Sequence, residues 1–123
     1  MRTGRYWHGC FSVKEQGKVT KVYVFGGYDG SYLSSTEVLN VSDRTWSEGP
    51  SLPYPMSGNA GVSSNDKKYE GFCVGGYNGT DLKTVLGLEN ANGNQRWVQV
   101  GQMKEPRGFH TVVNAPPSLL NSC

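Results

Sequence analysis

One short pattern, present twice, limits the folds open to this chain more than any other feature. Residues 22–30 alternate aliphatic and aromatic side chains before a glycine pair, Gly26–Gly27, and residues 69–79 repeat this order 49 positions later. Apolar groups on both faces of a two-residue period predict a strand buried on both sides, inside a stack of sheets. The glycine pair predicts close backbone approach or positive φ. Asp29–Gly30 predicts a tight turn.

Other landmarks recur with nearly the same spacing. Trp46 and Trp97 are 51 positions apart, and the same interval separates Arg5 from Met56 and Met56 from Arg107. A fixed period near 50 residues is the mark of a repeat architecture, in which each unit has the same fold. We therefore expect two copies of one structural unit and the beginning of a third.

These residues make the chain resemble the kelch family. The resemblance rests on the opening Arg5-x-x-His8, the run Gly26-Gly27-Tyr28, the strand pattern at 35–41, Trp46, and the segment from Gly49 to Pro53. It implies an all-β fold: a fragment of a kelch-type β-propeller with two four-stranded antiparallel blades packed face to face, plus one extra strand. It also implies that the chain is the C-terminal part of a longer kelch protein.

The repeat spacing gives the expected division of the chain. Kelch repeats should occupy 1–114, with blade one at 5–53, blade two at 55–104 and an extra innermost-type strand at 106–114. Residues 115–123 are expected to form a disordered tail. The predicted blade strands are 7–13, 21–27, 36–41 and 45–47, followed by 59–64, 68–76, 84–89 and 96–100.

Composition and charge exclude several classes of protein. The formal net charge is +2 and the basic residues are scattered, so no nucleic-acid surface is expected. No apolar run approaches the ~20 residues of a membrane span, and no apolar signal segment follows Met1. Three cysteines do not make a disulfide framework, so we expect a cytoplasmic location, with an extracellular one as the alternative. Cys10 and Cys73 are expected to be small buried hydrophobic residues.

The sequence does not indicate an enzyme, and we expect no cofactor. His8 and His110 occupy equivalent repeat positions, and no carboxylate or cysteine pair at ligand spacing joins them, so no metal site is expected. Neither a Gly-x-Ser-x-Gly elbow nor a phosphate-binding glycine loop occurs. Because some kelch propellers are copper-radical oxidases, a fragment of a galactose-oxidase-like or sugar-modifying propeller is kept as an alternative.

By resemblance, partners of kelch domains dock at one propeller face, on the loops after each glycine pair and after each repeat opening. The partner-binding residues expected there are Tyr6, Tyr28, Asp29, Tyr32, Ser57, Tyr77, Asn78 and Asp81, with Gly108 beside them. Tyrosine supplies rigid amphipathic contact area, and acidic or amide neighbours orient a partner. Tyr28 and Tyr77 could equally pack beneath the loops. Structural roles are expected for Gly26, Gly27, Gly75, Gly76, Trp46 and Trp97.

The function expected from this pattern is a non-catalytic kelch protein-interaction module. By resemblance, one such role is substrate recognition within a cullin ubiquitin-ligase adaptor. The alternative is a secreted or cell-surface propeller glycosylated at Asn40 or Asn78, each of which begins an Asn-x-Ser/Thr sequon. Unclosed blades also present open edges through which copies of the chain could associate.

Overall fold

The computed structural model describes residues 1–108. His110, most of the extra strand predicted at 106–114 and the tail predicted at 115–123 lie outside the described residues. Within residues 1–108 every helix or strand assigned is a β-strand. In that part of the chain there is accordingly no helix able to cross a membrane.

Eight strands form two sheets. They are β1 (Gly9–Glu15), β2 (Lys18–Phe25), β3 (Thr36–Asn40), β4 (Thr45–Glu48), β5 (Ala60–Ser63), β6 (Tyr69–Tyr77), β7 (Asp81–Ala91) and β8 (Asn94–Gln102). The first four strands make one antiparallel sheet and the last four make the other, each in sequence order. The predicted all-β fold with two four-stranded antiparallel sheets is confirmed.

The two sheets pair equivalent residues of the repeat. In the first sheet Leu39 lies opposite Trp46, and in the second sheet Leu88 lies opposite Trp97. A slip of one residue in either sheet would turn these side chains to the other face. The sequence repeat is therefore also a structural repeat, with the same residues on the same face of each sheet.

An aromatic cluster joins the two sheets. The Trp97 ring lies edge-to-face against Phe25, with centroids 5.0 Å apart, and at 6.2 Å from Phe11. Its indole N–H donates to the carbonyl of Pro50 at 3.0 Å and to the hydroxyl of Thr36 at 3.3 Å. Burying an apolar side chain of this size stabilises the fold by roughly 2–3 kcal/mol. The contact between the sheets is thus both a large apolar burial and a directed hydrogen bond.

The second sheet supplies an aliphatic and sulfur-containing surface to this cluster. Met56, Cys73, Leu86 and Leu88 each have at most 2% of their surface exposed. The prediction that Cys73 is a buried small hydrophobic residue is confirmed. Burial raises the pKa of its thiol to about 12, while a weak bond from Asn59 acts in the opposite direction. The Cys73 thiol therefore stays protonated and unreactive at neutral pH.

The outward face of the first sheet has no described strand packed over it. Trp46, the equivalent of Trp97, is partly exposed there. Cys10 is exposed, so the prediction of a buried side chain is wrong for this residue. Cys10 pairs with Val24 and alternates with the buried Phe11 along β1. Because successive side chains of a strand point to opposite faces, Cys10 faces away from the second sheet.

Two hairpin turns are tighter than the sequence suggested. The loop left between the predicted strands 7–13 and 21–27 is a two-residue turn of Gln16 and Gly17, with φ of 52° and 79°. The turn expected at 90–95 likewise contracts to Asn92 and Gly93, with φ of 54° and 85°. Positive φ at both central residues is the geometry that matches the twist of the flanking strands. The strands can therefore continue almost to the turn, which shifts β1 toward Glu15 and makes β2, β7 and β8 longer than predicted.

Exchanging the first residues of these two turns tests their backbone strain. Asparagine tolerates positive φ better than glutamine does, so Gln16→Asn should raise the free energy of unfolding by about 0.5–1 kcal/mol. Asn92→Gln should lower the free energy by a similar amount. The measurement is urea unfolding followed by tryptophan fluorescence. Effects of the same sign for both substitutions would contradict the assigned turn geometry.

Candidate partner-binding surface

The predicted site residues meet at one end of the two sheets. The connections from β2 to β3 and from β6 to β7 lie there beside the segments that lead into β1 and β5. Tyr6 and Tyr28 exchange two backbone hydrogen bonds, of 3.1 and 2.9 Å. Ser57 and Tyr77, the equivalent pair of the second repeat, exchange bonds of 2.8 and 2.7 Å. Each repeat thus ties its opening segment to the loop after its glycine pair.

The glycine pairs permit this approach. All four residues of Gly26–Gly27 and Gly75–Gly76 have positive φ, between 65° and 128°, as the sequence predicted. A Cβ atom on Gly27 would lie 2.9 Å from the carbonyl oxygen of Tyr6. That separation is too short for a side chain, so the opening segment can lie against the loop only where glycine is present.

Five aromatic side chains form a continuous surface at this end of the molecule. We call it the aromatic row, and its members are Tyr6, Trp7, Tyr28, Tyr32 and Tyr77. The Tyr6 ring lies 4.7 Å from Trp7 and 5.6 Å from Tyr28, centroid to centroid. The Tyr32 ring lies 5.5 Å from Tyr28 and 6.1 Å from Tyr77. The last contact joins the first repeat to the second, so one surface spans both.

The row is exposed where aromatic side chains are usually covered. Tyr6 and Trp7 have 50% and 53% of their surface exposed, and Tyr32 has 36%. Tyr28 and Tyr77 are half-buried and support the exposed rings from below. Single exposed apolar groups are common on proteins, but contiguous ones mark interaction sites. Of the tyrosines predicted as site residues, Tyr28 and Tyr77 therefore mainly pack against neighbouring rings. Tyr6 and Tyr32 are exposed and can contact a partner.

Sequence reasoning missed Trp7. Its backbone has φ of 57°, in the left-handed region that side chains of this size rarely adopt. The equivalent residue of the second repeat is Gly58, with φ of 62°. The carbonyl of Trp7 accepts a 2.7 Å bond from the Gly58 N–H. Aligning the two repeats could have drawn attention to Trp7, because a glycine occupies the equivalent position of the second repeat.

Polar groups flank the aromatic row. Asp29, Asn78 and Asp81 are all exposed. Asp29 accepts a hydrogen bond from the backbone N–H of Ser31 at 3.4 Å. Partial loss of water raises the pKa of the Tyr32 hydroxyl above its ordinary value, and the Tyr77 and Tyr28 hydroxyls act in the same direction. The Tyr32 hydroxyl is thus a neutral hydrogen-bond donor at physiological pH.

Two predicted site residues, Ser57 and Gly108, are more buried than the polar groups that flank the row. Ser57 has 1% of its surface exposed and contributes through its backbone bonds to Tyr77. Gly108 is partly buried. Beside it the Arg107 carbonyl accepts a 3.0 Å bond from the N–H of Gly76. The structure thus brings Ser57 and Gly108 to the same end of the sheets, beneath the exposed rings.

A buried ion pair anchors the segment that carries Tyr6 and Trp7. The Arg5 guanidinium lies 2.8 Å from the Glu37 carboxylate, and their side chains are 0% and 4% exposed. Arg5 also donates to the carbonyls of Gly26 and Ser35, each at 3.0 Å. Such a network fixes the direction of the chain because both terminal nitrogens of the guanidinium donate to acceptors on the first sheet and its connections.

Several donors converge on the Glu37 carboxylate. The backbone N–H of Arg2 donates at 2.6 Å and that of Thr3 at 3.3 Å. Burial alone would raise the pKa of Glu37, but these bonds and the Arg5 charge outweigh burial and hold the pKa below its ordinary value. Glu37 is therefore ionised at neutral pH, and the first three residues are held to the sheet by it.

The second repeat replaces this ion pair with an apolar pair. Met56 stands where the first repeat has Arg5, and Leu86 stands where it has Glu37. Both are buried, with 0% and 2% of their surface exposed. A buried ion pair and a well-packed apolar pair are alternative solutions for one site, whereas half of each leaves a charge unpaired.

The described residues do not offer a metal centre. In the span from Met1 to Gly108, no three His, Cys, Asp or Glu side chains are grouped so that they could hold an ion. Desolvation by burial lowers the pKa of His8, and the charge of Arg5 acts in the same direction against a backbone hydrogen bond. His8 is thus neutral at pH 7.

Both sequon asparagines are on the surface. Asn40 and Asn78 are exposed. The Asn40 side-chain oxygen accepts bonds from the N–H and the hydroxyl of Ser42, at 3.2 and 3.0 Å. Asn78 directly follows Tyr77 of the aromatic row, so a glycan there would crowd that surface.

Comparison with known proteins gives one family match. Residues 20–53 match the model of the Kelch motif. The matched segment includes the first glycine pair, β3 and Trp46. No curated protein matches the chain significantly.

A double-mutant cycle tests the buried ion pair. Arg5→Met or Glu37→Leu alone should destabilise the fold by about 3 kcal/mol, because each leaves a buried charge unpaired. The double variant reproduces the pair of the second repeat. It should lose less than the sum of the single losses by at least about 1 kcal/mol. Urea unfolding at neutral pH measures all three.

The exposed pair Arg96–Glu89 is the matched control. Its atoms are 3.5 Å apart and the Arg96 side chain is 74% exposed, so its cycle should give a coupling of at most about 0.5 kcal/mol.

The stabilisation from Glu37 is complete above the ordinary carboxyl pKa of 4.5 and is lost as the pH falls through the lower folded-state pKa. The double variant should lack this acid-induced loss. Additive effects at the buried pair would contradict the account.

Proposed function

Because the chain carries a kelch motif and folds into two sheets consistent with kelch propeller blades, we propose that it is a protein-interaction module that binds partners through the aromatic row. The kelch motif supports this role, since kelch repeats generally serve interaction rather than catalysis. The observation that carries the proposal is a row of five contiguous rings, three of them well exposed. Aromatic residues dominate the energetics of interfaces between proteins.

The architecture supports this assignment of the surface. Tyr6 and Trp7 lie in the segment before β1, Tyr28 and Tyr32 lie in the connection from β2 to β3, and Tyr77 ends β6. Segments of this kind vary without disturbing the sheets, while the sheets hold them in place. Asp29, Asn78 and Asp81 at the flanks are exposed polar groups that can orient a partner. Ser57 and Gly108 shape the surface from below. All of the predicted site residues thus contribute to the proposed surface, as exposed rings, as flanking polar groups or as supports.

We further propose that the chain recognises substrates as part of a cullin ubiquitin-ligase adaptor. It rests on resemblance to kelch proteins that are joined to BTB and BACK segments. In that role, proteins bound at the aromatic row are ubiquitinated, and their complexes with this chain should accumulate when cullin ligases are inhibited.

Site-directed photo-cross-linking tests the proposed surface. A photoreactive phenylalanine analogue replaces Tyr32 in the full chain, and the control carries it at Val41, which is 38% exposed but lies outside the row. We expect discrete protein adducts from position 32 and none from position 41 in cells that express the chain. Tyr6→Ala in the same chain should reduce the adducts from position 32. Equal labelling from both positions would contradict the proposal.

A second candidate is a secreted or cell-surface module, favoured by the exposure of both sequon asparagines. In the first sequon, the Asn40 side-chain oxygen also accepts a hydrogen bond from the Ser42 hydroxyl. Mass spectrometry of the protein from its natural source should then find glycan on peptides that contain Asn40 or Asn78. Unmodified peptides at both positions would exclude this candidate.

A further inference from the structure

The stack of two sheets has an open sheet face at each end. Outer face one belongs to the first sheet, and its members are Cys10, Val22, Leu39 and Trp46. Outer face two belongs to the second sheet, and its members are Val62, Phe72, Val74 and Val85. No described strand packs over either face, and all eight side chains are at least partly exposed. Contiguous apolar groups of this kind mark interaction surfaces.

The two outer faces are the repeat equivalents of the two faces that meet inside the molecule. Trp46 of outer face one corresponds to Trp97, and Val74 of outer face two corresponds to Phe25. Inside the molecule the Trp97 ring packs on the Phe25 ring at 5.0 Å. A second copy that presents outer face two to outer face one would therefore set Val74 against Trp46 in the same way.

The sizes of the side chains are exchanged between the outer faces and the inner contact. Inside the molecule Phe11 lies over Gly71, since a Cβ atom on Gly71 would be 2.6 Å from the Phe11 ring. On outer face one Val22 takes the place of Gly71, and on outer face two Val62 takes the place of Phe11. A phenylalanine would collide with Val22 in this arrangement, whereas the smaller valine leaves room for it.

The contact between copies cannot repeat the inner contact in every detail. Cys10 of outer face one stands where the second sheet has Gly61, and Gly61 lies directly against the backbone of Cys10. Because cysteine carries a side chain, β1 of one copy has to lie further from β5 of the next copy than it does from β5 of its own chain. The Cys10 thiol would be covered in that contact.

The charges beside the outer faces also agree with such a contact. Glu48 follows the side of Trp46 along β4, and Lys83 lies on the side of Val85 along β7. Both are exposed and have opposite charge, so they favour two different faces over a face meeting its own copy. Arg5 and Glu37 already pair with each other at 2.8 Å.

We propose that outer face two of one chain packs against outer face one of a second copy, so that the chain assembles head to tail. Two different surfaces meet in such a contact, and assembly continues until a ring closes or a filament forms. The contact uses sheet faces and not the open strand edges. It lies beside the aromatic row and does not use it, so the row stays available to a partner.

Analytical ultracentrifugation of the full chain tests the assembly over a wide range of concentrations. We expect species larger than a monomer whose share increases with concentration. Trp46→Asp removes outer face one and Phe72→Asp removes outer face two. Each variant alone should associate at least about tenfold more weakly than the unchanged chain, because a carboxylate would be buried without a partner.

Mixing the two variants is the decisive step. Trp46→Asp keeps outer face two and Phe72→Asp keeps outer face one, so an equimolar mixture should form a dimer that cannot grow further. Dimer formation would also show that both variants are folded. A contact of one face with its own copy predicts a different result, since one variant alone would then still dimerise and mixing would add nothing.

The Cys10 thiol gives a readout that needs no substitution in the interface. It is exposed in the single chain, so a short pulse of iodoacetamide should label it at least about threefold more slowly once the chain has assembled. Peptide mass spectrometry measures the label. In Phe72→Asp, which keeps Cys10 and outer face one, labelling should not depend on concentration. Cys73 is buried and should stay unlabelled throughout.

Tyr6→Asp is the control for a charge placed on an exposed aromatic residue. Tyr6 is 50% exposed but belongs to the aromatic row, outside both outer faces. The variant should assemble like the unchanged chain.

Three results would each overturn the head-to-tail assembly. They are a monomer at every concentration, a mixture of folded variants that does not form a dimer, and a Trp46→Asp or Phe72→Asp variant that dimerises alone. Occupation of outer face two by residues 109–123 of the same chain would give the first of these results. None of them bears on the proposed function, which stands or falls with cross-linking at position 32.

Discussion

The packing of Trp97 against Phe11 and Phe25 is the interaction on which the rest of the structure depends. It removes three aromatic side chains from water, each with at most 8% of its surface exposed. The indole N–H also reaches across to the Pro50 carbonyl at 3.0 Å. Apolar burial supplies the free energy, and the hydrogen bond fixes the direction in which the second sheet lies. Either sheet without the other would leave these apolar side chains in contact with water.

The aromatic row exists because the sheets are held in this relation. The contact between Tyr32 and Tyr77, at 6.1 Å, joins a loop of the first sheet to the end of β6 in the second sheet. Arg5 and Glu37 place the segment before β1 against the first sheet, and this positions Tyr6. The first repeat has an ion pair at this position, and the second repeat has the apolar pair Met56 and Leu86. The same backbone fold therefore accepts either kind of pair. The loops can therefore present a rigid surface although they contain little regular structure.

The sequence was enough to predict two equivalent units, because landmarks recur at a period near 50 residues. That each unit is a four-stranded sheet came from the resemblance to kelch repeats. The limits of the strands were harder to predict, since Gln16 carries no signal for its tight turn. Exposure of Cys10 depends on what covers its face, which spacing does not show. The pairing of Arg5 with Glu37 joins residues 32 positions apart. Trp7 was missed because its importance emerges from comparison with Gly58.

Nuclear Overhauser spectroscopy of the isotope-labelled chain is the most direct test of the contact between the sheets. The side-chain protons of Trp97 should show strong cross-peaks to the ring protons of Phe25 and weaker ones to those of Phe11, in keeping with centroid distances of 5.0 and 6.2 Å. The indole N–H proton should also exchange slowly with water. Missing cross-peaks together with rapid exchange would show that the sheets do not pack through Trp97, and would contradict the account.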